Sequence, residues 1–197
     1  MKKLIYFTIA VTILTESCKN KVIPERTIFN EEFNWTITIP KDFENINAEE
    51  WAKVQNKGAE AIEKTYNQEI KDRPNTIFVF KNDKFNSFES NYQLYDTLVD
   101  GNYFETFKSL NEIIYQTFIS QMPGTTIDTI SSTEIIDSLM FLKNKMKIVY
   151  PNNMTLNVLT YNRLFGNKDL SVNIMYVNED KGKQMIDSWK NSKFGKR

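Results

Sequence analysis

The sequence predicts an α+β fold, in which helices pack on a mainly antiparallel sheet. Two long segments, 48–69 and 101–122, carry apolar residues three and four positions apart, which is typical of amphipathic helices. The last third of the chain contains four apolar segments separated by short turns, which is typical of an antiparallel meander. A chain of 197 residues is long enough for one domain with a substantial core.

The first half of the domain is predicted to contain three strands and one helix. In FNWTITIP (33–40), Trp35, Ile37 and Ile39 alternate with polar residues, the period of a half-buried strand. Asn47 can cap the helix at 48–69, and Glu50 stands where a capping-box partner belongs. The next two strands are predicted at NTIFVFKN (75–82) and NSFESNYQLYDT (86–97), which are rich in residues that favour strands.

The second half is predicted to be a helix, four strands and a last helix. The helix at 101–122 has an aromatic and aliphatic stripe that we expect to pack on the sheet, and Pro123-Gly124 ends it. The strands are predicted at about 126–136, 139–150, 154–165 and 170–177. The last helix, at about 179–192, directs Met185, Ile186 and Trp189 inward, and Phe194 closes the core.

Two stretches of the chain resemble the PsbP-like domain family. The opening W-x-I-x-IP-x-x-F and the closing SVNIMYVNEDKGKQMIDSWKNSKF are similar to the start and end of such domains. The resemblance implies an α/β/α sandwich over nearly the whole mature chain. Members of this group are mostly binding or assembly proteins, so it also implies a role other than catalysis, and it carries over no ligand residue. The segments NEIIYQTFISQMPG and RLFGNKDLSVNIMYV are similar to segments of lipoproteins from Bacteroidota-type bacteria.

The N-terminus has the form of a secretory signal. Lys2 and Lys3 precede eleven uncharged residues, a run too short to span a membrane. LTESC (14–18) then resembles the lipobox of bacterial lipoproteins, although Leu14 is one place early and Glu16 is unusual. We therefore expect a signal peptide at 1–17, a lipidated tether at 18–28 that begins with Cys18, and a single domain at 29–197.

Cys18 is the single cysteine of the chain, so no disulfide can form within it. The alternative to lipidation is a buried core cysteine that follows an ordinary signal peptide. The polar stretch CKNK favours lipidation, because it has no pattern that would bury the thiol. Lys19, rather than aspartate, follows the cysteine, which favours the outer membrane and leaves open which of its faces carries the protein.

Composition excludes most kinds of chemical site. Lys and Arg number 25, Asp and Glu number 25, and a chain without net charge has no field to attract nucleic acid. There is no histidine, so no Ser-His-Asp triad and no histidine metal ligand can form. Glycine-rich phosphate loops and calcium loops are also absent from the sequence. We expect no catalysis, no cofactor and no metal site.

Two sequence features are candidates for a binding surface. SNYQLYD (90–96) and DGNY (100–103) bring together Tyr92, Tyr95 and Tyr103, and tyrosines in loops suit protein surfaces. The structural alternative is that these rings pack on the core with their hydroxyl groups at its rim. Arg163 lies next to the predicted hairpin turn at 166–169, and its alternative is a solvated sheet edge.

Two functions remain open at this point. The first is a lipid-anchored module of the cell envelope that binds a protein partner or assists assembly. The second is a carrier of a small apolar ligand, which a large apolar volume under the helix at 103–118 would support.

Overall fold

The structure of the protein is a computed structural model that describes residues 22–67 and 74–195. It contains ten strands and three helices in this part of the chain. In order they are β1 (Arg26–Asn30), β2 (Trp35–Ile39), β3 (Glu44–Asn45), α1 (Ala48–Tyr66), β4 (Asn75–Asp83), β5 (Asn86–Leu94), α2 (Tyr103–Gln121), β6 (Thr126–Ile136), β7 (Leu139–Val149), β8 (Thr155–Phe165), β9 (Lys168–Tyr176), α3 (Glu179–Lys190) and β10 (Lys193–Phe194).

Seven of the strands form one antiparallel sheet in the order β3-β4-β5-β9-β8-β7-β6. Strands β6 to β9 are consecutive neighbours, so the predicted meander is confirmed. Strand β5 pairs with β9, with Phe88 opposite Ile174, which joins the first half of the chain to the last long strand. The other three strands form a small antiparallel sheet in the order β1-β2-β10. The α+β class is therefore confirmed.

Short polar residues set the ends of the elements. Asn47, Asn102 and Asn178 cap the three helices, each accepting a hydrogen bond from a backbone N–H of the first turn. Asp137 and Ser138 connect β6 to β7, with φ angles of 46° and 69°. Two successive positive φ angles are the geometry of a type I′ turn, which matches the twist of a tight hairpin.

Three short strands were not predicted from the sequence. Residues 26–28, which the predicted tether included, begin β1, where Ile28 lies opposite Ile37 of β2. Phe194, predicted as an apolar plug, also pairs with Trp35 as part of β10. Strands of two to five residues carry too little pattern to be recognised without their partners. The strand predicted at 86–97 ends earlier, at Leu94.

The apolar face of the large sheet forms the core together with the small sheet and α3. Trp35 and Trp189 are fully buried there and meet edge to face, with ring centroids 5.7 Å apart. Phe194 stacks on Trp35 at the same distance, with an interplanar angle of 7°. Buried aromatic side chains contribute large apolar area and additional ring–ring energy, so this cluster is the main source of stability.

The opposite face of the large sheet carries α1 and α2. The indole N–H of Trp51 in α1 donates to Glu89 Oε1 of β5 at 2.7 Å. In α2, Phe107 is buried, whereas Leu110 is 42% exposed. The predicted apolar stripe of α2 thus packs only in part on the sheet, and a cleft remains between the helix and the sheet.

No helix in residues 22–67 or 74–195 has the length and apolar character needed to cross a membrane.

We predict that Trp35→Ala destabilises the domain by roughly 3–5 kcal/mol, the usual loss when a buried aromatic is cut to alanine. Thr36, the matched control, lies on the half-exposed face of the same strand, so Thr36→Ala should cost under about 1 kcal/mol. Urea unfolding measures both free energies. Equal losses would contradict the one-sided burial of β2.

Candidate functional site

The structure separates the four residues predicted to form a binding surface. Tyr95 and Tyr103 are in contact, with ring centroids 5.2 Å apart at an angle of 85°. Tyr92 lies on the other face of the sheet, where its ring meets Phe33 at 5.6 Å. Arg163 Nη1 donates to the carbonyl oxygen of Met140 at 2.7 Å. None of the four side chains is exposed, so the structural alternative describes Tyr92 and Tyr95 better.

Tyr95 holds the loop between β5 and α2 in one conformation. Its hydroxyl lies 2.9 Å from Thr106 Oγ1 and 3.1 Å from the carbonyl oxygen of Gly101, and it can donate its one proton to either acceptor. Within the loop, Asp100 Oδ2 accepts from the Asp96 N–H at 2.7 Å, and Asp96 Oδ1 accepts from the Leu98 N–H at 2.9 Å. Both ends of the loop are therefore fixed by hydrogen bonds.

The tip of this ordered loop displays apolar side chains to solvent. Leu98 is 94% exposed and Val99 is 81% exposed. Leu94, 66% exposed at the end of β5, lines the same surface depression as Val99, with a volume of about 610 Å³. We call Leu94, Leu98 and Val99 the Leu98 surface. These side chains add nothing to the core, so the fold itself does not require them.

A second feature is a cleft between α2 and the large sheet, with a volume of about 230 Å³. Amide, hydroxyl and carboxyl side chains of β5, β8 and β9 form its floor: Asn91, Gln93, Thr160, Asn162, Asp169, Ser171 and Asn173. Apolar side chains of α2 form its roof, among them Phe107, Leu110 and Ile114. We call this space the Asp169 cleft.

Asp169 is the charged group of the cleft, and it is 5% exposed. The Tyr103 hydroxyl donates to its Oδ1 at 2.6 Å, and Asn162 Nδ2 lies 3.2 Å from the same oxygen. Burial raises the pKa of Asp169, and hydrogen bonds from Tyr103, Asn162 and Gln93 offset part of that effect. Burial, followed by the nearby Asp169 charge, also raises the pKa of Tyr103, which therefore stays protonated as a donor.

A second carboxylate lies on the same face of the sheet. Glu89 Oε1 accepts from Trp51 Nε1 at 2.7 Å and from Gln55 Nε2 at 2.9 Å. It lines an adjoining depression of about 180 Å³, which shares Ile114, Thr160 and Asn173 with the Asp169 cleft. Among the described residues that line these two spaces, none is Lys or Arg.

Sequence reasoning missed the Asp169 cleft, although part of its signal was present. Ser87, Glu89, Asn91 and Gln93 alternate along β5, a pattern that normally indicates a solvated face. The neighbouring strands place Thr160, Asn162, Asp169 and Ser171 on the same face. The pattern gives no indication that helices cover this polar face, because that depends on the tertiary arrangement.

Comparisons with known proteins confirm the fold. No family model and no curated protein matches the chain. The solution structure of cyanobacterial PsbP (CyanoP) from Synechocystis sp. PCC 6803 covers 92% of this chain and 99% of its own, with a TM-score of 0.57 at 8% identity. A crystal structure from Bacteroides thetaiotaomicron VPI-5482 has a TM-score of 0.49 at 8% identity, and the match covers 89% of this chain and 50% of that one. The fold is PsbP-like, and a likeness at such low identity concerns the fold alone.

Cys18, the predicted lipidation site, lies outside the described residues. The described part of the chain contains no group of three or more His, Cys, Asp or Glu side chains that could hold a metal ion.

We predict that Asp169→Asn stabilises the domain at pH 8. A carboxyl group whose pKa is raised by folding binds its proton more tightly in the folded state. Its contribution is therefore most favourable below the unfolded pKa and is lost as the pH rises through the folded pKa. Asparagine keeps an oxygen for the Tyr103 hydroxyl and carries no charge. Urea unfolding at pH 4 and pH 8 should show a gain over the native chain that is larger at pH 8.

The matched control is Asp128→Asn on β6, where the side chain is exposed. It should change the unfolding free energy by less than about 0.5 kcal/mol at either pH. If Asp169→Asn were less stable than the native chain at pH 8, the ionised carboxylate would be stabilising and the stated sign would be wrong.

Proposed function

We propose that the protein is a non-catalytic module of the cell envelope, anchored in the outer membrane by lipid on Cys18, that binds a protein partner through the Leu98 surface. The supporting observation is the exposure of Leu98 and Val99 on a loop that hydrogen bonds hold in one conformation. A surface that is ordered before binding loses little entropy when a partner docks on it. Exposed apolar groups on an ordered loop are typical of interaction sites.

The charges around this surface favour a protein partner over a lipid surface. Asp96 and Asp100 flank Leu98 and Val99 and are themselves exposed. Anionic lipid surfaces attract basic segments, so two carboxylates beside the apolar tip oppose insertion into such a membrane. We infer a partner with an apolar pocket bordered by Lys or Arg side chains, because such a rim would complement the two aspartates.

The absence of histidine and of any second cysteine supports a role in binding rather than catalysis.

The alternative function, a carrier of a small apolar ligand, receives less support. The Asp169 cleft lies under α2, where a pocket for an apolar ligand was expected. Its floor, however, consists of amide, hydroxyl and carboxyl groups such as those of Asn91, Ser171 and Asp169. An apolar ligand would displace water from these groups and offer them no further hydrogen bond, which is unfavourable.

The anchor follows from the N-terminal sequence. Lys2 and Lys3, the uncharged run after them and Cys18 fit a lipoprotein signal. Two or more acyl chains hold a protein stably at a membrane, because each buried CH₂ contributes about 0.8 kcal/mol. A tether ahead of β1 would let the domain reach a partner near the membrane.

We predict that Cys18→Ser yields a folded, exported protein that no longer sediments with the outer membrane. Serine has no thiol to accept the lipid, and the substitution leaves the sequence of the predicted domain unchanged. Fractionation after labelling with radioactive palmitate measures both effects. Label that still enters the Cys18→Ser protein would rule out Cys18 as the anchor.

We also predict that the double substitution Leu98→Asp and Val99→Asp abolishes partner binding. A photoreactive amino acid at the exposed Thr97 should give a discrete protein adduct in native membranes. The two new carboxylates should reduce its yield by at least about tenfold, because burying an unpaired charge in an apolar pocket costs several kcal/mol.

The control is the double substitution Ile130→Asp and Ile135→Asp, which adds the same charges at exposed positions of β6. It should leave the adduct at Thr97 unchanged. Equal adduct yield in the Leu98 and Val99 variant would exclude the Leu98 surface as the docking site. Crosslinking to lipid instead of protein would identify a membrane-contacting surface.

A further inference from the structure

We propose that the Asp169 cleft binds a small organic cation, with a primary ammonium group at Asp169 and a short apolar body against α2. This inference goes beyond the proposed docking function and concerns a different surface. It depends on the juxtaposition of a buried carboxylate, a floor of neutral hydrogen-bonding groups and an apolar roof.

Neutral side chains surround the carboxylate of Asp169. Asp169 is 5% exposed, and the side chains that bond to it, those of Tyr103, Asn162 and Gln93, are neutral. The two cationic side chains nearest in sequence bond to groups other than Asp169. Lys168 pairs with Glu32, and Arg163 donates to the carbonyl oxygen of Met140. Neutral donors only partly compensate a buried carboxylate, so a cation in the cleft would gain a strong interaction.

Another partly buried carboxylate of the same sheet, that of Glu134, is paired with lysine side chains. Glu134 on β6 is 20% exposed, and Lys143 Nζ and Lys190 Nζ lie 2.6 Å and 2.8 Å from its two oxygens. Burial acts to raise the pKa of Glu134, but the hydrogen bonds from the two lysines outweigh it, so the net shift is downward. Asp169 is more deeply buried and has no such partner among the described residues. The contrast supports a cationic ligand as the partner of Asp169.

The size and the two sides of the Asp169 cleft also favour a small amphipathic cation. A volume of about 230 Å³ is below the range of drug-sized ligand pockets, so the occupant is small. Asn91, Ser171 and Asn173 on the floor can accept further hydrogen bonds from an ammonium group. Phe107, Leu110 and Ile114 on the roof would cover an apolar body. The two sides of the cleft thus match the two ends of one amphipathic cation.

Other ligand classes fit less well. Among the described lining residues none is basic, so an anion would find no partner and would face Asp169. For a metal ion, the described residues contain no group of three or more His, Cys, Asp or Glu side chains that could hold it. A neutral apolar molecule would leave the carboxylate uncompensated.

The test uses the full chain, purified in a non-ionic detergent, and three probes with the same four-carbon body. These are n-butylammonium, n-butanol and n-pentanoate. Changes in amide NMR signals would report binding at millimolar concentrations. We expect n-butylammonium to shift the signals of Asn91, Asn162 and Asp169, and to bind at least about tenfold more tightly than either of the other probes.

Two variants assign the site. Asp169→Asn should weaken n-butylammonium binding at least about tenfold, whereas Asp128→Asn, which removes an exposed carboxylate, should leave it unchanged. Ser171→Leu, which places an apolar side chain on the floor of the cleft, should block all three probes. Its melting temperature shows whether the domain remains folded.

The proposal is overturned if n-butanol binds as tightly as n-butylammonium, or if Asp169→Asn binds it as tightly as the native chain. Absence of any n-butylammonium shift up to about 100 mM would overturn it as well. None of these results bears on the Leu98 surface, which lies outside the cleft.

Discussion

The alternation of side chains along β5 and β9 is the constraint on which the rest of the structure depends. Phe88 and Ile174 face the core, whereas their neighbours face α1 and α2: Glu89 comes one residue after Phe88, and Asn173 one residue before Ile174. Since successive residues of a strand point to opposite faces, one sheet acquires an apolar face and a polar face. A shift of one residue in the pairing of β5 with β9 would exchange the two faces, so the apolar cluster also specifies the register.

The two faces of the large sheet are stabilised by different interactions. The apolar face, closed by Trp35, Trp189 and Phe194, provides most of the burial that stabilises the domain. The polar face is held by side-chain hydrogen bonds, such as those from Trp51 to Glu89 and from Tyr103 to Asp169. Hydrogen bonds to charged groups contribute about 1.5–3 kcal/mol each, and they leave space between the layers that an apolar interface would fill. A cleft is therefore able to persist beneath α2 without loss of the core.

The two candidate surfaces are connected through Tyr95 and Tyr103. Tyr95 fixes the loop that carries Leu98, and its ring contacts Tyr103, whose hydroxyl bonds to Asp169. The sequence left two roles open for these tyrosines, a binding surface or packing on the core, and in the structure their rings pack, which positions a loop on one side and a carboxylate on the other. The Leu98 surface itself consists of aliphatic side chains that were not among the residues predicted from the sequence to bind a partner.

Local sequence alone determined the helices, the long strands and the meander, because their periods of 3.6 and 2 and their caps and turns are encoded within a few residues. The sequence contains no histidine, which excludes catalysis by a histidine side chain and histidine metal ligands, and it predicts the lipid anchor at Cys18. Only the tertiary structure decided that the polar face is covered, that β1 and β10 pair with β2, and that Asp169 is buried. Each of these depends on contacts between residues far apart in the chain, and a polar strand residue has the same local pattern whether water or a helix lies above it.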